Sequence, residues 1–212
     1  LIICFLGLAI GITAVSFIIP RNDNNYKKNL SKYQHVNTLE GISLKLIHYL
    51  SYFLIAFLFR EWMRFLMFLF TFLLLRKNAG GYHAKTKGGC YASSCLTVLC
   101  IVICIKESAC WKDIVPVAGI LMVLADIAIF ALAPLGNRNR ILDREESVAF
   151  RRRSYAFLML ENVSVVLLVV IGMKEYAFPV VLAIICEAVL LLLEKMREGS
   201  NEVEQKINHQ DT

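Results

Sequence analysis

Long apolar runs alternate with short polar breaks along the whole chain. The runs occupy positions 1–19, 42–59, 62–75, 91–105, 114–135, 155–171 and 176–193. A membrane-spanning α-helix needs about 20 mostly apolar residues. Most of the runs have that length, whereas those at 62–75 and 91–105 must extend into flanking residues. No segment shows the sustained alternation of apolar and polar residues that is typical of strands. The pattern therefore predicts an all-α protein.

Composition points to a lipid bilayer as the solvent of this fold. Hydrophobic residues make up 58% of the 212 residues and charged residues 19%, against about 45–50% and about 25% in soluble domains. The high hydrophobic fraction also excludes a disordered chain. The net charge of +6 does not indicate nucleic acid, because the cations lie in the breaks between apolar runs and not on a soluble module.

The distribution of Lys and Arg predicts the topology. Most of the 23 cations fall in alternate breaks and in the C-terminal tail, and the positive-inside rule places these segments in the cytoplasm. We therefore expect a polytopic membrane protein with six core transmembrane helices. The predicted organisation is an apolar N-terminal segment with a polar, interfacial stretch (1–36), a six-helix membrane domain (37–195) and a polar cytoplasmic tail (196–212). Run 1–19 is predicted either as an additional membrane helix or as an apolar helix that lies against the bundle.

The candidate chemistry lies in one break, residues 76–90, which reads R-K-N-A-G-G-Y-H-A-K-T-K-G-G-C. His83 and Cys90 are the one His–Cys pair on a single inter-span loop. A thiol nucleophile needs a base and a field that favours the thiolate. His83 is the candidate base. Lys85, Lys87 and the start of the next helix would supply the field. The glycines Gly80 and Gly81 would allow close approach of a substrate.

Helical geometry limits this interpretation. On one continuous helix, His83 and Cys90 would lie about 10 Å apart along the axis, which is too far for a hydrogen bond. Gly88 and Gly89 favour a folded-back loop instead. The alternative is a flexible loop with a chance His and Cys. No metal site is predicted, because His83, Cys90 and Cys95 lack a fourth ligand at a recognisable spacing.

Charged residues inside the apolar runs support a second class of function. Lys45, Asp126, Glu161 and Glu187 lie within runs, where charges are costly and usually face the bundle interior. In a small-solute or peptide transporter, such acidic groups would bind ions or relay protons. In a structural role, they would pair with one another or with the backbone.

Residues 76–90 closely resemble the signature of the accessory gene regulator B family, bacterial membrane cysteine endopeptidases that process quorum-sensing propeptides. The resemblance includes Arg76, the run from Gly80 to Ala84 and the spacing of seven residues from His83 to Cys90. It extends to A-P-L-G-N-R-N-R-I-L-D-R-E-E at 133–146 and to the six-span layout. The apolar run 1–19 and the pair Gly88-Gly89 depart from the family pattern.

The resemblance implies a reaction and a partner. Cys90 would attack a peptide bond near the C-terminus of a short, AgrD-like precursor peptide, with His83 as base and then as acid. The resulting thioester would pass to an internal Cys or Ser of the peptide, giving a thiolactone or a lactone. No cofactor is implied. Family members associate as homodimers in the inner (cytoplasmic) membrane.

Basic residues beside the predicted site are candidates for capturing this substrate. Guanidinium groups bind carboxylates bidentately, so we expect Arg76, Arg138 and Arg140 to bind an acidic segment of the precursor. The predicted substrate-positioning set is Arg76, Gly80, Gly81, Lys85, Lys87, Arg138 and Arg140.

Overall fold

The computed structural model describes residues 36–82, 87–108, 114–135 and 144–210. Within these residues the regular elements are α-helices, and a single bridge joins Gly80 to Leu135. The helices are α1 (Val36–Leu58), α2 (Trp62–Ala79), α3 (Lys87–Ser108), α4 (Ile114–Leu132), α5 (Arg144–Val170) and α6 (Lys174–Gln210). The all-α prediction is confirmed for this part of the chain. The N-terminal run 1–19 lies outside the described residues.

Three of the six helices are long and apolar enough to cross a membrane, namely Gly88–Ser108, Arg144–Val170 and Lys174–Gly199. Shorter apolar stretches occur at Leu46–Leu58 and Pro116–Leu132. The two short runs do extend into flanking residues, as predicted, because α2 continues to Ala79 and α3 begins at Lys87. The last helix continues well past the predicted span, to Gln210.

The described helices form two compact units, and α1 and α3 belong to the first. The buried side chains of α1 include Tyr52 and Ala56, and those of α3 include Ile101, Val102 and Ile105. On α3 these positions recur at helical spacing, which gives the helix one continuous packing face.

The second unit contains α2, α4, α5 and α6. Every residue from 177 to 188 of α6 is buried, and α4 and α5 both pack against this helix. A helix that is apolar on all sides is expected to be enclosed by its neighbours, so α6 is the central element of the unit. Gly172, with φ of 91°, makes the tight turn between α5 and α6 that the short break predicts.

Candidate functional site

The Gly80-Gly81 pair ends α2 in the second unit. Both glycines have positive φ, 83° and 109°, a conformation that other residues rarely adopt. The Gly80 N–H donates to the Arg76 carbonyl at 3.3 Å, and the Leu135 N–H donates to the Ala79 carbonyl at 2.9 Å. A Cβ atom on Gly80 would lie 2.2 Å from the Leu135 carbonyl oxygen. Glycine is therefore required here both for conformation and for space.

The Arg76 side chain binds the backbone that follows its own helix. Its Nη1 donates to the Gly80 carbonyl at 2.5 Å, and its Nη2 donates to the Tyr82 carbonyl. Nη1 also lies 3.8 Å from Oε1 of Glu187, whose side chain is fully buried on α6. The Arg76 side chain itself is 15% exposed. Because the guanidinium is planar and its donors are fixed in direction, these three contacts define one orientation of the group.

Tyr82, the residue before His83, contacts α6 through its backbone and its ring. Its N–H donates to the Leu190 carbonyl at 3.1 Å. The guanidinium carbon of Arg197 lies 5.6 Å from the centre of the Tyr82 ring, within the range of a cation–π interaction. Arg197 Nη1 also lies 3.4 Å from Oε2 of Glu194. The chain leading into His83 is therefore attached to the central helix of its unit.

Cys90 belongs to the first unit and lies in the first turn of α3. The helix begins at Lys87, so Gly88 and Gly89 are helical, and the expected folded-back loop does not include them. Glycine lowers helix stability by only about 1 kcal/mol relative to alanine, which the apolar remainder of α3 outweighs. Cys90 is half-buried, and its carbonyl accepts a hydrogen bond from Ser93 Oγ at 3.1 Å. Its place near the helix start agrees with the sequence prediction.

A polar and aromatic cluster on α1 lies beside the start of α3, in the same unit. Ser51 Oγ and the Tyr91 hydroxyl are 2.8 Å apart. The His48 ring packs on the Tyr91 ring at 4.9 Å, and its Nδ1 lies 3.4 Å from the Tyr52 hydroxyl. The sequence analysis did not connect His48 with Tyr52 or Tyr91. The spacing of His48, Ser51 and Tyr52 at i, i+3 and i+4 is the signal that could have identified this polar face.

The predicted site residues divide between the two units. Arg76, Gly80 and Gly81 come together in the second unit, and Cys90 lies in the first. Lys87 is the first residue of α3. Four predicted residues lie outside the described part of the chain, namely His83, Lys85, Arg138 and Arg140. Sequence reasoning did not connect Glu187, Leu190 or Arg197 with the motif, although Glu187 stood out as a charge inside an apolar run.

Two of the three acidic residues inside the spans have polar partners. Asn162 Nδ2 donates to Asp126 Oδ1 at 3.2 Å and to the Leu158 carbonyl at 2.9 Å. Glu187 faces Arg76. The structural role predicted pairing among the in-span residues or with the backbone. Asp126 has a partner in another span, whereas the partner of Glu187, Arg76, was not predicted. Glu161 is buried, and its carboxylate oxygens have no hydrogen-bond partner among the described residues.

Within the part of the chain that the structure describes, no three His, Cys, Asp or Glu side chains converge as metal ligands. The cysteines described there are free thiols, at Cys90, Cys95, Cys100, Cys104 and Cys186. Cys104 and Cys186 are buried, as expected of packing residues in apolar helices. Cys90 differs from them by its place in a first helical turn.

Comparison with known proteins identifies the family. The model of the accessory gene regulator B family matches residues 21–191. An AgrB-like protein of Clostridium perfringens strain SM101 is 25% identical over 182 residues, which cover 80% of this chain and 83% of the relative. An AgrB-like protein 2 of Clostridium perfringens strain 13 is 27% identical over 173 residues, with 77% and 78% covered. No solved structure matches the chain. The family match spans most of the sequence, and the chain belongs to the accessory gene regulator B family.

Proposed function

We propose that the chain is a membrane-embedded cysteine endopeptidase that cleaves a short, AgrD-like precursor peptide and supports its cyclisation. Membership of the accessory gene regulator B family connects the chain with quorum sensing and, together with the three apolar helices, with a multi-pass membrane location. The observation that carries the finer proposal is the place of Cys90 in the first turn of α3, seven residues after His83.

The helix start favours a negatively charged sulfur at Cys90, since the partial positive charge of a helix lies in its first turn. His83 accepts the thiol proton, and the sulfur attacks the carbonyl carbon of the scissile bond. When the C–N bond breaks, the proton passes from His83 to the leaving amine. The products of this step are the C-terminal fragment and a thioester between Cys90 and the rest of the precursor.

Cyclisation follows by a second acyl transfer. The side chain of an internal Cys or Ser of the peptide attacks the thioester carbonyl, its proton passes to the Cys90 sulfur by way of His83, and a thiolactone or lactone is released. The thioester conserves the energy of the cleaved bond only while water is excluded. A site at the surface of an apolar bundle favours that exclusion.

The same proposal includes topology and substrate capture. In the proposed topology of six spans, the loop that contains His83 and the C-terminal tail face the cytoplasm, where a ribosomally made precursor is available. Arg138 and Arg140, with Lys85 and Lys87, would bind an acidic segment of the precursor. Arg76 belongs to this predicted set, although its guanidinium already contacts two carbonyl groups and Glu187.

Cleavage by single-cysteine variants tests the proposal. We expect Cys90→Ala and His83→Ala to abolish cleavage of an AgrD-like precursor, measured by mass spectrometry at matched membrane abundance. Cys95→Ala is the matched control, because Cys95 lies on the same helix beyond the first turn, and we expect it to remain active. Cleavage by the Cys90→Ala variant, or loss of cleavage in Cys95→Ala alone, would contradict the assignment. A transporter would retain its transport when Cys90 is replaced.

A further inference from the structure

We propose that Glu187 on α6 is a positioning residue that, through Arg76, holds the backbone of residues 80–82, which leads directly into His83. The inference rests on the proposed function, in which His83 is the base. It assigns a role to a buried acidic residue that is far from the motif in sequence. Its evidence is a continuous set of contacts from Glu187 to the peptide group that joins Tyr82 to His83.

The first step is the contact between Glu187 and Arg76. The Glu187 side chain is fully buried in the central part of α6, and Arg76 Nη1 lies 3.8 Å from its Oε1. A buried carboxylate is strongly unfavourable unless a cation or hydrogen-bond donors compensate it. Arg76 supplies a cation beside this carboxyl group, although neither Glu187 oxygen accepts a hydrogen bond from the described residues.

The second step is the contact between Arg76 and two backbone carbonyls. Nη1 and Nη2 donate to the carbonyl oxygens of Gly80 and Tyr82, one on either side of Gly81. A guanidinium is a rigid, planar set of donors, so its orientation determines where both carbonyls lie. Lysine has one nitrogen on a flexible stem and cannot reproduce this geometry.

The third step concerns the peptide group that leads into His83. The Tyr82 carbonyl and the His83 nitrogen belong to one planar peptide unit. The hydrogen bond from Arg76 Nη2 therefore fixes the direction of the Tyr82 carbonyl, the last described group before His83. The Tyr82 N–H is bonded to the Leu190 carbonyl at 3.1 Å, so both peptide groups of Tyr82 have a partner.

The kinetic constants distinguish a positioning role of Arg76 from a role in substrate binding. If Arg76 serves mainly to orient the chain at His83, its replacement lowers kcat with little change in KM. If Arg76 serves mainly to bind an acidic part of the precursor, its replacement raises KM. Glu187 is fully buried and acts through Arg76, so its replacement should lower kcat in the first case and raise KM in the second.

The test measures cleavage and the reactivity of the Cys90 thiol in the full chain, purified in detergent. We expect Glu187→Gln to lower kcat about 10-fold to 100-fold with KM nearly unchanged, since a displacement of about 1 Å has effects of that size. Glu187→Asp retains the charge and should recover part of the loss. Asp126→Asn is the matched control, because it neutralises another acidic residue of the same unit whose partner is Asn162.

Alkylation of Cys90 by iodoacetamide supplies the second readout. Its rate is followed as a function of pH by mass spectrometry of the peptide that contains Cys90. We expect the pH profile of Glu187→Gln to shift from that of the wild type towards that of His83→Ala. A loss of stability alone would not reproduce the profile of the histidine variant.

The outcomes separate this inference from the function on which it rests. If His83→Ala alters the profile and Glu187→Gln matches the wild type in profile and in kcat, the positioning role is wrong and the proposed dyad stands. If His83→Ala leaves both cleavage and the profile unchanged, the proposed function fails, and the inference fails with it.

If Glu187→Gln is poorly folded, a double variant built on Glu187→Asp replaces it. Arg76→Lys should lower kcat by at least as much as Glu187→Asp, and adding Glu187→Asp to it should produce little further loss, because the two residues act through one set of contacts. Losses that multiply would show that Glu187 and Arg76 act independently and would overturn the inference.

Discussion

Residues 76–82 and residues 87–93 contain the two halves of one sequence motif, and they are stabilised in different ways. The first segment is attached to other elements of its unit through Leu135, Leu190 and Glu187. The second is the beginning of a helix, stabilised by its own turns and by the contact of Tyr91 with α1.

The difference shows where sequence changes should matter. Contacts with residues far away in the sequence determine the backbone conformation of residues 76–82. Small substitutions there should therefore have large effects on stability and cleavage. In residues 87–93, helix formation determines the backbone, so changes compatible with a helix should be tolerated. The histidine side of the motif is therefore expected to be the sensitive side, apart from the nucleophile itself.

The largest expected difference is between alanine at Gly80 and alanine at Gly88. A Cβ on Gly80 would lie 2.2 Å from the Leu135 carbonyl oxygen, at a φ of 83°, whereas a Cβ on Gly88 has no neighbour within 4 Å. Gly80→Ala should destabilise the fold by about 1–3 kcal/mol from backbone strain alone and stop cleavage. Gly88→Ala should stabilise α3 by up to about 1 kcal/mol and leave cleavage intact.

Thermal unfolding in detergent, together with precursor cleavage, would measure both variants. Equal effects of the two substitutions would remove the contrast between the segments, and a Gly80→Ala variant with wild-type stability would show that Leu135 can move away without cost.

A smaller effect is expected for the ring of Tyr82. The ring faces Arg197 at 5.6 Å, and cation–π contacts contribute about 0.5–2 kcal/mol, depending on desolvation. Tyr82→Phe retains a ring face and Tyr82→Leu does not. The difference in unfolding free energy between these two variants therefore isolates the ring, and we expect Leu to be the less stable by about 1 kcal/mol.

Pairing each Tyr82 variant with Arg197→Met completes the comparison. If the difference between Phe and Leu persists in the Arg197→Met background, the ring stabilises residues 76–82 by packing and not through the cation. The loss of that difference would establish the contact with α6.

The sequence predicted the helices better than it predicted the contacts between them. Hydropathy located the apolar part of each helix, but α5 begins at Arg144 and α6 continues to Gln210, because polar residues outside the apolar core also form helix. The environment of Arg76 was not predictable in the same way. Its partner Glu187 lies more than a hundred positions away, and only the packing of α2 against the rest of its unit brings the two together.

The motif itself was partly predictable for physical reasons. Gly80 and Gly81 indicated a sharp change of direction after α2, and both have positive φ. Gly88 and Gly89 suggested a loop, yet they are helical. Glycine permits unusual backbone conformations without requiring them. The close approach of Leu135 distinguishes the Gly80-Gly81 pair from the Gly88-Gly89 pair. No local sequence pattern predicts that approach.

The smallest effect is expected at the side-chain hydrogen bond between Ser51 of α1 and Tyr91 of α3. Ser51 Oγ and the Tyr91 hydroxyl are 2.8 Å apart, and hydrogen bonds between membrane helices contribute on average about 0.6 kcal/mol. Ser51→Ala and Tyr91→Phe should each lower the unfolding free energy by about that amount, and the double variant should lose no more than either single one. Cleavage should remain close to the wild-type rate in all three, since the bond does not reach Cys90 itself. A loss above about 2 kcal/mol, or a large fall in cleavage, would mean that α1 determines the position of the α3 start. In that case residues 87–93 would depend on distant contacts as much as residues 76–82 do, and the contrast between the two segments would be wrong.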